Sequence, residues 1–533
     1  MSLLVLPLCF LAAAFMGRAA GGPYWLWVNL DPDYFYLLDG LNILNLTTPG
    51  HVYHPGTTVT WLAALILKAS HLLTGTEEII AQVLGDPEPA LRLIGTVFVL
   101  INACAVLVLG AVGYRVFGDL LAAWFLQMAP FISMLVLKSS YHVKPESLLL
   151  FTALMLSALS ILALKPGLLE RRSNRFIIAF GVIAGFGVAT KITVLPVFIL
   201  PLFVLAPSEY KRGGIGSGVR AISLYGVAAL AALFIFTLPA IGAYDVFFAW
   251  MAKVSQGTGA YGGGAAGFVD WAVYPKHILK LFKRPAFLVV FILSAVTLAA
   301  AWARRRRGHP IPELEVRLLL GIWVSQLAHV LMVAKQPNVL YMIPSYVLSP
   351  LAFVLVWRLG SDLVMGSFFR FLRPGVAALL AALVISQTFA VSKLVREADE
   401  KSASALSPGY GRFSQCARIY AYPASAQSFA LALGDFITGS RFSARLSATA
   451  PANDFWLEHW WDQSRVVFRS WRGPENLDAV LARYPCAIFR GGHWWVTEPL
   501  LKKIAPEIKF DENCSTRFET ILTQGVGCDG KIR

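Results

Sequence analysis

The chain has 533 residues, of which 57% are hydrophobic and only 14% are charged, with a formal net charge of +15 and a mean hydropathy of +0.62. A soluble globular protein carries about 25% charged residues, so this composition excludes a chain that faces water on all sides. The positive charge does not indicate a nucleic-acid partner, because no basic helix or stacking module accompanies it. Composition therefore predicts a polytopic α-helical membrane protein with no nucleic-acid partner.

Apolar runs of bilayer length recur along most of the chain. The first run lacks a basic leading segment, and Arg18 lies at its far side, so a retained first span is favoured over a cleaved signal peptide. Eleven transmembrane helices are predicted, at about 3–22, 93–113, 118–137, 146–164, 176–190, 192–207, 221–241, 286–303, 318–334, 339–357 and 375–392.

The loops on one side of these spans are strongly basic. They carry 16 basic residues: Arg115, Lys165, Arg171, Arg172, Arg175, Lys211, Arg212, Arg220, Arg304, Arg305, Arg306, Arg307, Arg317, Arg358, Arg370 and Arg373. The positive-inside rule places these loops and the N-terminus in the cytoplasm. Eleven crossings then leave the C-terminus outside, which predicts a multi-pass transmembrane domain at 1–392 and an extracytoplasmic, for example periplasmic, domain at 393–533.

Cysteine placement supports this topology. Cys416, Cys486, Cys514 and Cys528 all lie in the predicted outer domain. An even set there predicts two disulfides in an oxidising compartment, with Cys514 and Cys528 as the expected pair. Strand-like stretches at 418–422, 466–471 and 487–490 alternate with helical ones at 425–437, 475–483 and 498–504, which is typical of a small α/β domain.

Two long outer loops are predicted, at 23–92 and 242–285. The apolar segment 57–73 imitates a span, but it is preceded by His54-Pro55-Gly56 and followed by Thr74-Gly75. These flanks favour a helix that lies along the membrane interface. No internal repeat is visible, which argues against a transporter.

The first outer loop opens with an acidic motif at 29–40, which reads NLDPDYFYLLDG. Asp31 and Asp33 lie there among aromatic residues at the membrane surface, where a carboxylate stays ionised only with a cation or hydrogen-bond donors. One interpretation is a general base that activates an acceptor hydroxyl, or a ligand of a divalent cation. The alternative is that one of them caps a helix beginning near Tyr34.

Several short motifs follow the acidic one along the chain. They are Tyr53-His54-Pro55-Gly56, Ala90-Leu91-Arg92, Lys144-Pro145-Glu146, the segment 185–191 ending in Thr190-Lys191, and Lys335 with Tyr341. In this order they resemble the motifs of the GT-C superfamily of glycosyltransferases that use polyprenyl-phosphate-linked sugars, and most of all its protein O-mannosyltransferase and aminoarabinose transferase branch. Leu340 stands where the family usually has a basic residue, and Asp31 and Asp33 replace the commoner Asp-Glu pair.

The resemblance implies a GT-C-like fold and a reaction. A hexose or pentose passes from a polyprenyl phosphate to a lipid, glycan or protein acceptor at the outer face of the membrane, and the lipid phosphate leaves. Cations are expected around that anion. The implied substrate-binding residues are Lys191, Lys144, Glu146, Lys335, Tyr341, Arg92 and His54, with Asp33 or Asp31 as the base.

Some of these assignments have structural alternatives. Lysines at span ends also reach toward lipid headgroups, and His54 also suits a purely structural hydrogen bond. Asp31 and Asp33 are the candidate ligands if a divalent cation is used.

Aromatic residues crowd the predicted outer domain. They are Trp456, His459, Trp460, Trp461, His493, Trp494 and Trp495. They suit either a platform for an acceptor glycan or ordinary packing in the core or at the membrane interface. At the level of the whole protein, the alternatives to a transferase are a transporter of a lipid-linked glycan and a non-catalytic envelope assembly protein. Ionisable groups that gather at one face favour the transferase.

Overall fold

The computed structural model describes residues 1–26, 30–363, 369–406, 410–458, 467–492 and 494–532. Helices dominate as far as residue 406. They are α1 (Val5–Ala20), α2 (Leu30–Leu44), α3 (Thr57–Ser70), α4 (Thr76–Gly85), α5 (Pro87–Phe117), α6 (Leu120–Gln127), α7 (Met134–Ser140), α8 (Pro145–Ala163), α9 (Leu168–Arg171), α10 (Ser173–Thr190), α11 (Leu200–Thr237), α12 (Tyr244–Gln256), α13 (Tyr274–Leu281), α14 (Pro285–Arg306), α15 (Glu313–Val333), α16 (Ile343–Leu363) and α17 (Phe369–Leu406).

Nine helical segments within the described residues are long and apolar enough to cross a membrane. They are Ser2–Ala20, Pro87–Phe117, Pro145–Ala163, Ser173–Thr190, Ile192–Gln256, Pro285–Arg306, Glu313–Val333, Val339–Ser361 and Arg373–Leu406. The predicted fold class, a polytopic helical membrane protein with a C-terminal α/β region, is confirmed. The difference from eleven predicted spans has two local causes.

The first cause is a break inside α11. The segment Ile192–Gln256 contains two of the predicted spans, 192–207 and 221–241, and its helical geometry is interrupted at Gly213 and Gly214. Gly214 has a φ of +71°, in the left-handed region that a glycine adopts without steric cost. Two helical segments therefore follow each other across this glycine pair.

The second cause lies at 118–137, which is not one continuous helix. Helix α6 ends at Gln127, a 3₁₀ turn covers Ala129–Phe131, and α7 begins at Met134. Pro130 in that turn has no N–H to donate to a continuing helix. The Ser133 hydroxyl then accepts from the Leu135 N–H and starts α7 (3.3 Å).

The segments predicted to be outer loops also contain helices. Helix α3 covers most of the apolar stretch 57–73, and its 14 residues span only about 21 Å, too short to cross a hydrocarbon core of about 30 Å. Its position along the interface stays a prediction. Helices α12 and α13 lie within 242–285.

A seven-stranded sheet is formed by the described part of the chain after residue 410. Its strands are β1 (Ala417–Ala421), β2 (Asp454–Glu458), β3 (Val467–Ser470), β4 (Gly473–Pro474), β5 (Ala487–Gly491), β6 (Glu512–Asn513) and β7 (Thr520–Gln524), in the order β4-β3-β2-β1-β5-β7-β6. Strand β1 runs parallel to β2 and β5, and the outer pairs are antiparallel.

Helices α18 (Gln427–Ile437), α19 (Ser443–Thr449), α20 (Leu477–Arg483) and α21 (Trp494–Ile504) connect the strands. All six predicted strands and helices of this region are present, shifted by a few residues. The sequence-based expectation missed helix α19 and the strands β2, β4, β6 and β7.

Both predicted disulfides are present in this sheet region. Cys416 bonds Cys486, and the two residues immediately precede the neighbouring strands β1 and β5. Cys514 bonds Cys528 with a Cα–Cα distance of 5.5 Å, so the predicted pair is confirmed. The first crosslink closes a separation of 70 residues and the second one of 14.

The chain divides into two compact units. The first comprises Met1–Phe15, Val52–Leu62 and Gly95–Val391. The second comprises Met16–His51, Ala63–Ile94 and Ser392–Arg533. The candidate site residues fall into both units, and each group is described within its own.

Candidate active site

Lys191 occupies a break between two helices of the first unit. Helix α10 ends at Thr190, and Lys191 is extended, with its N–H donating to the Gly187 carbonyl (2.9 Å). Lys191 forms an isolated antiparallel bridge with Pro55, and the Ile192 N–H donates to the His54 carbonyl (2.9 Å). A short strand pairing with the His54-Pro55 turn therefore fixes the backbone of Lys191.

The side chain of Lys191 forms a buried ion pair. Its Nζ lies 2.6 Å from Oε1 of Glu146, and the two side chains are only 9% and 5% exposed. The ammonium also lies over the ring of Tyr341, 4.4 Å from its centroid. Glu146 is in the first turn of α8, next to Pro145 at the helix start, where the helix dipole favours a carboxylate.

Lys144 belongs to the same cluster. It is the N-cap residue of α8, and its positive charge acts on the Glu146 carboxylate together with that of Lys191. Two ammonium groups and one carboxylate leave one net positive charge among these three residues. Such a cluster is suited to an anionic ligand.

Threonine side chains join the same helix ends. The hydroxyls of Thr58 and Thr190 are 2.8 Å apart, and the Thr57 hydroxyl donates to the Ala189 carbonyl (3.4 Å). The start of α3 is thereby held against the end of α10. Four motifs that are far apart in the sequence meet here, those that contain His54, Glu146, Lys191 and Tyr341.

Lys335 has other partners. Its Nζ donates to the Ser255 carbonyl (3.1 Å) and lies 4.4 Å from the centroid of the Phe268 ring. Both partners belong to the 242–285 segment, so Lys335 fixes that loop. Its predicted contact with the lipid-linked phosphate stays a prediction.

The acidic motif lies on α2, in the second unit. The helix begins at Leu30, upstream of both acids, so the alternative that one of them caps a helix beginning near Tyr34 is wrong. Pro32 is tolerated because the N–H groups of a first helical turn have no partner within the helix. Asp33 is fully buried, whereas the side chain of Asp31 and the backbone of Asn29 lie outside the described residues.

A second buried cluster surrounds the start of this helix. Both carboxylate oxygens of Glu88 accept from the Tyr24 N–H (3.0 Å each), and Oε1 accepts from the Tyr34 hydroxyl (3.1 Å). The Arg18 guanidinium lies 4.0 Å from the centroid of the Tyr24 ring.

Burial raises the pKa of both tyrosines, and the nearby charges of Asp33 and Glu88 add to this effect. The two phenols therefore stay protonated, and that of Tyr34 donates to Glu88. Arg92, one turn along α5 from Glu88, is exposed, and its charge acts on the same cluster.

Sequence reasoning missed Glu88 and Asp39. Glu88 follows Pro87 at the start of α5, a Pro-Glu pattern typical of a first helical turn, and this pattern marks it as a helix-start acid directly before the Ala90-Leu91-Arg92 motif. Asp39 has no comparable sequence pattern, because the donors that surround it are backbone N–H groups and one amide.

Asp39 is a buried acceptor in the second unit. It is fully buried and accepts from the Gly50 N–H (2.8 Å), the His51 N–H (2.9 Å) and the Asn42 amide (3.0 Å). Burial raises its pKa to about 7, against the opposing effect of these three donors. Asn42 also donates to the Thr438 carbonyl (3.1 Å), so this part of the loop is tied to α18 and the turn after it.

Metal-ligating groups come together at one place among the described residues, Glu512 with Cys514 and Cys528. The two sulfurs are bonded to each other and are not available as thiolate ligands. A divalent cation at Asp31 and Asp33 stays a prediction.

The aromatic residues of the sheet region are only partly described. His459, Trp460, Trp461 and His493 lie outside the described residues, as do the side chains of Trp494 and Trp495. Trp456 is half-buried on β2.

Comparisons with known proteins give a likeness of structure. No family model matches the sequence, and no curated protein matches it. Two solved structures of ArnT from Cupriavidus metallidurans are similar over 97% of this chain and 97% of theirs. The one bound to undecaprenyl phosphate is 12% identical with a TM-score of 0.47, and the one in the apo state is 11% identical with a TM-score of 0.49.

Proposed function

We propose that this protein is a membrane glycosyltransferase that moves a sugar from a polyprenyl-phosphate donor to an acceptor at the outer face of the membrane. The observation that carries the proposal is the cluster of Lys191, Lys144, Glu146 and Tyr341. It collects residues from three motifs that occur in the order typical of the GT-C enzymes, and it retains one positive charge. The acceptor is a lipid, a glycan or a protein, and the sugar is a hexose or a pentose.

In the proposed reaction, the acceptor hydroxyl attacks the anomeric carbon of the donor sugar. The glycosidic bond forms, the bond between that carbon and the phosphate oxygen breaks, and the hydroxyl proton passes to Asp33 or Asp31. The polyprenyl phosphate leaves as an anion. Lys191 and Lys144 stabilise the charge that develops on it.

Glu146 and Tyr341 position Lys191 in this scheme. An ammonium has three N–H donors, and the Glu146 carboxylate takes one. The ring of Tyr341 lies against the same ammonium and restricts its position. The remaining donors are left for phosphate oxygens.

The decisive experiment compares envelope glycolipids and glycoproteins by mass spectrometry with and without this protein, and then with the Asp33→Asn variant. Loss of one sugar substituent in both comparisons is expected. Purified protein should then release polyprenyl phosphate from the identified donor when acceptor is present. Movement of intact donor across a vesicle membrane, without cleavage of the sugar–phosphate bond, would instead establish the transporter alternative.

A further inference from the structure

The sheet region presents two chemically different faces. On β2, Phe455 and Leu457 point into a hydrophobic core with Phe468 of β3. Side chains alternate along a strand, so Trp456 and Glu458 lie on the opposite face. Arg469 is paired in register with Trp456 and shares that face, where it forms an ion pair with Glu458.

This opposite face forms one wall of a cleft of about 200 Å³. We call it the β2–β3 cleft. Trp456 and Trp471 make an aromatic corner in it, with ring centroids 5.2 Å apart and ring planes at 71°. Helix α18 supplies the other wall, including Phe429 and Phe436.

Polar groups line the edges of the cleft. Asp435 is buried in the wall and accepts from the Phe442 N–H (2.8 Å) and from the Ser443 hydroxyl. Arg472 lies at the exposed rim. With Glu458 and Arg469, the lining holds two carboxylates and two guanidinium groups, so their charges balance.

The two tryptophans differ from the core residues behind them. Phe455 is 1% and Phe468 is 5% exposed, whereas Trp456 and Trp471 are each only half-buried. The Trp471 indole N–H is buried and has no hydrogen-bond partner within the part of the chain that the structure describes. An aromatic pair that only filled the core would be buried like the phenylalanines.

We propose that the β2–β3 cleft binds a neutral saccharide through one hexopyranose ring. A pyranose has apolar C–H faces that pack on indole rings and hydroxyls at its edge that pair with carboxylates and guanidinium groups. Balanced lining charge favours a neutral ring over a polyanion. The volume is below the roughly 300–1,000 Å³ typical of sites for drug-sized ligands, which limits the occupant to about one ring.

This saccharide site goes beyond the proposed transferase reaction and does not depend on it. A terminal ring of an acceptor glycan and a free oligosaccharide share the same chemistry. Binding is measured without donor, so its outcome is separate from that of any turnover assay.

The test uses full-length protein in nanodiscs, because the headgroup of a maltoside detergent is itself a saccharide. Maltotriose, mannotriose and chitotriose are titrated separately and followed by saturation-transfer difference NMR. We expect saturable binding of at least one of them in the millimolar range. Trp456→Leu should weaken it about tenfold, since an aromatic contact of this kind is worth roughly one power of ten in affinity.

Two further variants keep the test independent of folding defects. Trp471→Phe retains an aromatic ring but removes the indole N–H, and Arg472→Ala changes an exposed side chain at the rim. Trp271→Leu, which replaces a 77% exposed tryptophan outside the sheet region, is the matched control and should bind as the wild type does. Non-reducing peptide mapping of both disulfides checks that each variant is folded.

Binding that falls in the three cleft variants and persists in the control supports the proposal. The proposal is overturned if none of the three saccharides binds, even at concentrations well above the millimolar range. It is equally overturned if binding occurs but is unchanged in Trp456→Leu, Trp471→Phe and Arg472→Ala.

Discussion

Replacing Lys191 with Met removes the ammonium while keeping a long apolar side chain. The Glu146 carboxylate, 5% exposed, would then be left without the partner that now lies 2.6 Å away. Removing one member of a buried ion pair typically destabilises a protein by about 3–5 kcal/mol. We therefore expect Lys191→Met to lower thermal stability and abundance as well as donor binding, so this single variant does not separate the two roles.

A second substitution separates them. Glu146→Gln combined with Lys191→Met removes both charges, and neutral replacement of a buried pair often costs little. The double variant should recover most of the stability that Lys191→Met loses. In a double-mutant cycle, the coupling between the two positions should exceed about 2 kcal/mol, above the range of exposed pairs.

Donor binding should respond differently. A hydrogen bond from a charged donor is worth about 1.5–3 kcal/mol, so loss of the Lys191–phosphate contact should weaken binding roughly 10- to 100-fold even in the stable double variant. Thermal unfolding in nanodiscs measures the stability of each variant, and titration with a polyprenyl phosphate measures its donor binding. Lys335→Met is the matched control for stability, since that ammonium is held by one carbonyl and one ring.

Two results would refute this reasoning. Strictly additive effects of Lys191→Met and Glu146→Gln on stability would mean that the pair is not coupled. A stable double variant that binds polyprenyl phosphate as tightly as the wild type would mean that the phosphate site lies elsewhere.

Three further predictions concern the rest of the chain. Asp33→Asn should lower turnover by about 10²–10⁴-fold with little change in thermal stability if Asp33 is the base; an unchanged rate would leave Asp31, tested in the same way, as the candidate. Burial raises the pKa of Asp39 to about 7, so its carboxyl binds a proton more tightly in the folded state than in the unfolded state. Asp39 should therefore make the protein less stable as the pH rises from about 4 to 7. The stability of Asp39→Asn relative to the wild type should therefore rise over this interval and level off above it. The total change in the free energy of unfolding should be at most about 4 kcal/mol, and it is followed as the difference between the two melting temperatures. A difference that does not change with pH would contradict the raised pKa. A reporter enzyme that works only outside the cytoplasm should be active when it is fused after the C-terminus. A reporter that works only in the cytoplasm should be inactive there, and the opposite result would reverse the proposed topology.

Long-range periodicity made most of the fold predictable. Apolar runs located nearly every span, because a bilayer demands about 20 apolar residues in sequence. The segment 118–137 was apolar enough to pass as one helix, and only the turn around Pro130 divides it. Strand β2 was missed because the residues at its ends, Asp454 and Glu458, are polar. They pair with residues of β1 and β3, and this pairing is a property of the sheet that the local sequence does not show.

Part of the candidate site was predictable as a group of residues, but their pairing was not. Motif order placed Glu146, Lys191 and Tyr341 in one site, and the structure brings these three together, while their role in substrate binding stays a prediction. It could not distinguish Lys144, whose charge acts on the Glu146 carboxylate, from Lys335, which holds a loop, because both follow spans in similar surroundings. Asp39 escaped notice because its partners are the backbone N–H groups of Gly50 and His51, which any residue types would provide.

The ion pair also determines which residue supplies the net charge of the cluster. A buried ammonium without a partner would cost several kcal/mol, and Glu146 offsets that cost for Lys191. The pair by itself is neutral and would attract an anion only weakly. Lys144, at the N-cap of α8 and only half-buried, restores one positive charge. In the proposed function, Lys191 therefore contributes position and hydrogen-bond donors, Lys144 contributes the attraction, and we expect binding of the lipid-linked phosphate to need both.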